Sequence, residues 1–315
     1  MKLLLVGQLD ADEADSWARH LQEALPEHHL LRERGVVPDG QIEVAIVANP
    51  PPGSLQGLPG LRLIQSLWAG VDRLLADATV PPQVPLARMV DPAMNEAMAE
   101  TALWAVLSLH RDFFSYARQQ TRQHWQQHPQ HRADEWPVLV LGHGQMGQAV
   151  SRRLAAQGYP VTAWCRQART EQPAAPGVRV ISGADALATA WARAQTVVNL
   201  LPLTPETRGI LNSAHFSALP RGASVVNLAR GAHLVDADLL AALASGHLAH
   251  AVLDVFHAEP LAPDHPFWQH PQVTVLPHIA AQTDPRSAAA VVAANVRALA
   301  AGQALSNLVQ RESGY

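Results

Sequence analysis

Short apolar runs alternate with longer amphipathic stretches along most of the chain, and the alternation predicts strands and helices in turn. Lys2-Leu3-Leu4-Leu5-Val6-Gly7 reads as a buried strand closed by glycine. A helical pattern follows from Ala11 to Leu25 and stops at Pro26. Two further buried-strand runs, Glu43 to Ala48 and Leu61 to Ser66, lead into Asn49-Pro50-Pro51-Pro52-Gly53 and Leu67-Trp68-Ala69-Gly70-Val71-Asp72. Strands this apolar, separated by helices, predict a parallel sheet covered on both faces.

Met94 to about Gln120 carries one long helical pattern, long enough to connect two lobes. A polar stretch rich in His and Gln, Gln119 to Asp134, reads as exposed loop or frayed helix. After Pro137 the pattern restarts as strand (Val138 to Leu141), glycine loop (Gly142 to Gly147) and helix (Gln148 to Gln157). Later strand runs are Val161 to Trp164, Thr196 to Leu200, Ser224 to Leu228, Ala251 to Val255 and Val273 to Leu276. A closing helix, Arg286 to Ala301, has Gly302 as its C-cap. The expected fold class is α/β, with two doubly wound parallel-sheet lobes. Periodicity leaves open whether the second lobe is inserted into the first or follows it.

Composition narrows the function. At roughly 150 residues per domain, 315 residues suggest two domains, each large enough for its own core. A formal net charge of −4 gives no electrostatic footprint for nucleic acid or an anionic membrane. The lone cysteine, Cys165, excludes an intramolecular disulfide framework and fits a reducing compartment. The opening apolar run is too short for a signal peptide, and no apolar stretch reaches the roughly 18 residues that span a bilayer. The expectation is a soluble, cytoplasmic protein. Lys2 is the only lysine among 23 basic residues, which excludes a GK[ST] phosphate loop and an interior Schiff-base lysine.

Gly142-x-Gly144-x-x-Gly147 follows a buried strand and opens a helix, the context a dinucleotide-binding loop requires. The first glycine permits the tight turn, the second lets the backbone approach a pyrophosphate, and the third lets helix and strand pack closely. An NAD site carries Asp or Glu about 20 residues further on, against the ribose 2′-hydroxyl. Here the second strand ends Ala163-Trp164-Cys165-Arg166-Gln167, without an acid. A guanidinium binds a 2′-phosphate by paired, charge-assisted hydrogen bonds. Arg166, helped by Arg169, therefore argues for NADP(H) as the preferred cofactor, with NAD(H) possible.

Arg230, Glu259 and His278 each come shortly after a predicted strand. In an open α/β sheet, ligands bind outside the carboxyl ends of strands, where these positions lie. Hydride reduction of a 2-oxo acid needs a cation for the carboxylate, an acid for the carbonyl oxygen, and a partner that keeps the acid protonated. Arg230 suits the first need by bidentate contact. His278, with an ordinary pKa of about 6.5, suits the second. Glu259 suits the third, because a nearby negative charge favours imidazolium.

With these residues in order, the sequence resembles the D-isomer-specific 2-hydroxyacid dehydrogenases, and within them the glyoxylate/hydroxypyruvate reductase A branch. Besides the glycine loop, the likeness rests on Asn199-Leu200-Leu201-Pro202-Leu203-Thr204-Pro205-Glu206-Thr207-Arg208-Gly209 and Val225-Val226-Asn227-Leu228-Ala229-Arg230-Gly231. Leu253-Asp254-Val255-Phe256-His257-Ala258-Glu259-Pro260 and Pro277-His278-Ile279-Ala280-Ala281 complete it.

The resemblance implies reduction of glyoxylate and hydroxypyruvate to glycolate and D-glycerate. Arg230 would bind and polarise substrate, His278 would be the acid/base, and Glu259 its partner. Asp254 would sit near the nicotinamide. Gln145, Met146, Leu201, Pro202, Thr207, Leu228, Ala229 and Ala280 would join the glycines and Arg166 in cofactor binding. Trp68, Ala69 and Gly70 would form the loop that cradles the substrate carboxylate, and Trp68 is either a wall favouring small substrates or ordinary core packing. A flavodoxin-like substrate lobe, residues 1–98 plus 286–315, would hold an inserted Rossmann-type lobe, residues 99–285, and the interlobe helix would support a homodimer.

Three signals are discounted. His124, His128 and His131 have helical spacing, but Pro129 interrupts them and no acid or cysteine joins them, so no metal site is expected. The acids of Met94 to Glu100 belong to a helix start, and Cys165 sits at a strand end. A non-catalytic NAD(P)H-sensing regulator on the same fold is the rival reading. Against it stand the retained Arg230, Glu259 and His278 and the lack of a basic extension.

Overall fold

The computed structural model describes residues 1–166, 175–312 and 314. The chain divides into two compact units, Met1–Met94 with Thr283–Tyr315, and Asn95–Gln282.

In the first unit, β1 (Lys2–Gly7), α1 (Ala11–Ala24), β2 (His29–Leu31), β3 (Ile42–Ala48), β4 (Leu63–Ser66), α2 (Asp72–Ala76) and β5 (Leu86–Ala87) build a parallel sheet. Its order is β2-β1-β3-β4-β5, that of flavodoxin-like doubly wound sheets. Asp10 and Glu13 form a reciprocal capping box at the start of α1, which places the helix boundary. The C-terminal helix, Pro285–Ala300, packs its small apolar face of Ala288, Ala289, Val292, Ala293 and Val296 into the core with Leu3, Leu5, Trp17 and Leu21. Asp284 caps that helix through the Arg286 N–H at 2.9 Å.

The predicted single helix from Met94 to Gln120 is instead two, α3 (Pro92–His110) and α4 (Phe113–Thr121). The break falls at Asp112, whose φ of 58° is left-handed. Aspartate is among the few residues that tolerate that conformation, because its short polar side chain bonds locally. Its carboxylate meets His128 Nδ1 at 3.2 Å. Beyond α4 the His-rich stretch carries no α-helix: His128 N–H donates to the Tyr116 hydroxyl, and His110 Nε2 meets the His131 carbonyl. Among the described residues no group of three or more His, Cys, Asp or Glu could hold a metal ion.

The second unit continues with β6 (Val138–Leu141), α5 (Gln145–Ala156), β7 (Val161–Cys165), β8 (Val178–Ser182), α6 (Ala184–Trp191), β9 (Thr196–Asn199) and α7 (Ser213–Ala218). β10 (Ala223–Asn227), α8 (Asp236–Ala244), β11 (Leu248–Leu253) and β12 (Val273–Val275) complete it. Among the described residues its seven strands are all parallel, in the order β12-β11-β10-β9-β6-β7-β8. Strand alternation sorts the core into two layers. Leu139, Leu141, Val197, Val225 and Leu253 face Trp191, Phe216 and Phe267. Val138, Val140, Val198, Val226 and Val252 face Ala99, Ala102, Ala105 and Val106 of α3, whose small side chains suit close helix–sheet packing. Both lobes are therefore doubly wound. Among the described residues no helix is long and apolar enough to cross a membrane.

Candidate functional site

The sheet of the second unit reverses its winding between β6 and β9, and ligands of open α/β sheets lie at such a switch point. The glycine loop leaves β6 there. A Cβ on Gly147 would lie 1.9 Å from the Gly142 carbonyl oxygen, so only glycine lets α5 start this close to the strand. A Cβ on Gly144 would meet nothing within 4 Å, which leaves its backbone open to a ligand. The first bond within α5 runs from Gln148 N–H to the Gly144 carbonyl. The amides of Gln145, Met146 and Gly147 thus occupy the positive end of the helix, where a phosphate is favoured. Gly144 and Gln145 are exposed, and Met146 is partly buried against the α3 layer. These residues fit a dinucleotide pyrophosphate.

Neighbouring loops are braced from within. Thr207 donates its hydroxyl to the Pro202 carbonyl at 2.7 Å and accepts the Thr204 N–H at 2.8 Å, tightening the turn after β9. Leu201, Leu228 and Ala229 are buried at their strand ends, and Pro202 is partly buried. Arg166 is exposed at the end of β7, with Nη1 4.0 Å from Glu206 Oε2. Arg169 lies outside the described residues.

Arg230, Glu259 and His278 follow β10, β11 and β12, which are adjacent strands, and so reach one edge of the sheet. His278 Nδ1 meets Glu259 Oε2 at 2.7 Å, and Glu259 Oε1 accepts the Phe256 N–H at 2.9 Å. The hydrogen bond to Glu259 raises the His278 pKa above its ordinary 6.5, and the charges of Glu259 and Asp254 add to it, against burial and Arg230. Burial alone would raise Glu259, but the bonds from His278 and the Phe256 amide outweigh it and hold the carboxylate below its ordinary range. The charge of Arg230 acts on both members of the pair. Gly231 permits the close approach: a Cβ there would lie 2.0 Å from the Phe256 carbonyl carbon.

His278 has a φ of 56°, the left-handed region, where a side chain other than glycine's costs about 1 kcal/mol or more. Asp254 holds it there. Its buried carboxylate accepts the Ile279 N–H at 2.7 Å and the Ala280 N–H at 3.0 Å. Burial raises the Asp254 pKa, against those two bonds. Ala280 is buried, and its carbonyl accepts the Thr101 hydroxyl at 3.0 Å.

Other contributors carry no sequence signal of the contacts they make. Asn199 donates to Asn227 Oδ1 at 3.0 Å, and Asn227 donates to the Arg230 carbonyl at 3.0 Å, so a buried amide pair fixes the Arg230 loop. His233 is fully buried, with Nε2 3.3 Å from the Pro202 carbonyl. Burial, helped by the charge of Arg230, pushes its pKa down to about 4, so it stays neutral and donates there. The Asn-Leu-Ala-Arg-Gly motif contains Asn227, but nothing in the sequence pairs it with Asn199.

In the first unit, Trp68 to Gly70 are partly buried after β4. Ser66 Oγ accepts the Trp68 N–H and donates to its carbonyl, both at 3.0 Å. The Trp68 ring stands edge-on to Trp17, centroids 6.3 Å apart, and packs on the core.

Residues 103–280 match the family model described as D-isomer specific 2-hydroxyacid dehydrogenase, NAD binding domain. The chain is 41% identical over 307 residues to the glyoxylate/hydroxypyruvate reductase A of Serratia proteamaculans, covering 96% of each chain. Its fold is similar to that of a D-isomer specific 2-hydroxyacid dehydrogenase from Xanthobacter autotrophicus Py2, solved with NADPH and MES. The TM-score is 0.92, at 38% identity over 99% of each chain. It is also similar to the NADPH-dependent glyoxylate/hydroxypyruvate reductase of Sinorhizobium meliloti, solved with NADP and sulfate. That TM-score is 0.89, at 32% identity over 100% of this chain and 99% of the other.

Proposed function

The chain belongs to the D-isomer specific 2-hydroxyacid dehydrogenase family, and from that premise we propose that it reduces glyoxylate and hydroxypyruvate to glycolate and D-glycerate, with NADPH preferred and NADH accepted. The observation that carries the chemistry is the 2.7 Å contact between His278 Nδ1 and Glu259, felt by Arg230 on the same sheet edge as the glycine loop.

Gly142, Gly144, Gln145, Met146 and Gly147 would hold the pyrophosphate, and Arg166 the 2′-phosphate. The bound nicotinamide dinucleotide supplies the hydride. Arg230 grips the substrate carboxylate and draws electron density from the 2-oxo group. Glu259 engages Nδ1 of His278, which turns Nε2 to the far side of the ring as the proton donor to the developing alkoxide. Trp68, Ala69 and Gly70 of the substrate lobe, residues 1–98 plus 286–315, would receive the carboxylate, and Trp68 would limit substrate size. The reading places the enzyme in the cytoplasm, where reduced nicotinamide cofactors are available.

Purified protein should oxidise NADPH faster than NADH, followed by loss of nicotinamide absorbance, on glyoxylate and hydroxypyruvate. Cofactor binding with no turnover on any 2-oxo acid would point instead to the sensing regulator. A homodimer is the expected assembly: Trp104, Leu107 and Phe113 on α3 and α4 expose 42%, 40% and 50% of their surface, an apolar face that suits a second copy. Light scattering should then give twice the 33.9 kDa chain mass, and a monomer would remove the dimer from the reading.

A further inference from the structure

The loop after β9 places an acid where β7 has none. β7 and β9 flank β6 on either side, so their carboxyl ends bracket the glycine loop. Arg166 at the end of β7 and Glu206 in the loop after β9 face each other, with Nη1 and Oε2 4.0 Å apart. The Glu206 turn is ordered by the Thr204–Thr207 bonds, and a hydrogen bond with Thr204 helps keep its carboxylate ionised. Both side chains remain accessible to a ligand, 43% and 66% exposed.

From this juxtaposition we propose that Glu206 is a specificity-determining residue for the nicotinamide cofactor: it supplies from the β9 loop the carboxylate that β7 lacks, favouring NADH and opposing NADPH. The proposal rests on the reading that Arg166 receives the 2′-phosphate. A ribose 2′-hydroxyl donates a hydrogen bond that a carboxylate accepts, as in NAD sites whose acid stands on the second strand. A 2′-phosphate brings about two negative charges to the same place. It meets repulsion from Glu206 and competes with Glu206 for the Arg166 guanidinium. Arg166 and Glu206 thus act in opposite directions on one discrimination, which tempers the NADPH preference instead of making it absolute. Because the groups are exposed, the effect is screened by salt and amounts to about a threefold to tenfold change in affinity for each cofactor.

The test is fluorescence titration of the protein with NADPH and with NADH, at low and high salt, for the parent chain, Glu206→Gln and Arg166→Gln. Glu206→Gln should tighten NADPH and weaken NADH, so that the NADPH-over-NADH preference rises about tenfold to a hundredfold, with a smaller rise in high salt. Arg166→Gln should collapse the preference. If Arg166→Gln collapses it while Glu206→Gln leaves it unchanged, the role of Glu206 is overturned and that of Arg166 stands. If Arg166→Gln leaves the preference intact, the 2′-phosphate site lies elsewhere and both readings fall. Thermal melting of each variant checks that these surface substitutions leave the fold unaltered.

Discussion

Replacing His278 with alanine should lower the turnover of 2-oxo acid reduction by at least about a hundredfold, the usual scale of a general-acid contribution. The alkoxide that forms as hydride arrives needs a proton, and in the proposed mechanism His278 gives it, with Nδ1 held by Glu259 at 2.7 Å. Alanine carries a complication of its own, because position 278 has a φ of 56° and alanine tolerates that backbone poorly. His278→Asn separates the two effects. Asparagine accepts the left-handed conformation and cannot act as the acid, so it should lose turnover while melting with the parent chain. NADPH affinity, measured by fluorescence, should change little in His278→Asn, since the glycine loop is untouched. Normal turnover in His278→Asn would remove His278 from the role.

Glu259→Gln should displace the pH profile as well as lower the rate. The Glu259 bond and charge raise the His278 pKa, with Asp254 adding and burial and Arg230 opposing. Reduction uses imidazolium, so the rate is full below that pKa and falls as pH rises through it. Glutamine keeps the shape and a hydrogen-bonding oxygen but removes the negative charge, so the His278 pKa drops. The falling limb of kcat for reduction moves to lower pH, and near pH 7.5 the rate should fall about tenfold or more. The reverse reaction uses neutral His278, so the rising limb for 2-hydroxy acid oxidation should move to lower pH too. Stopped-flow rates from pH 5 to 9 in both directions check this. Limbs that stay in place would mean that Glu259 does not set the protonation of His278.

The sequence shows most clearly what local pattern governs. Most strands of both sheets are legible because a parallel sheet buries both faces, which turns Val138–Leu141 or Ile42–Ala48 into nearly continuous apolar runs. β2, β5 and β8 escape that reading: all three lie at sheet edges, β2 and β5 are only three and two residues long, and most β8 side chains reach solvent. The break between α3 and α4 escapes it too, since the apolar spacing passes straight through Asp112, whose backbone makes the turn. Among the candidate site residues, the grouping of Arg230, Glu259 and His278 at adjacent strand ends is visible in the sequence because each follows a strand run. The contacts around the candidate site act across sequence distances that no spacing rule reaches. Asn199 pairs with Asn227, His233 with Pro202, and Arg166 faces Glu206. Each of these pairs is made by strand order, which is a property of the sheet and not of the local sequence.

That strand order also acts as a ruler. The glycine loop and His278, the proposed phosphate cradle and proton donor, hang from β6 and β12, with β9, β10 and β11 between them. Neighbouring strands keep a spacing of about 4.8 Å that backbone hydrogen bonds enforce. The offset between the two is thus set by hydrogen-bonded backbone, while the side chains on the loops above stay free to diverge. Such a frame separates what must be exact from what can drift: loops can be exchanged to admit a different acid, while the distance from cradle to donor is inherited unchanged.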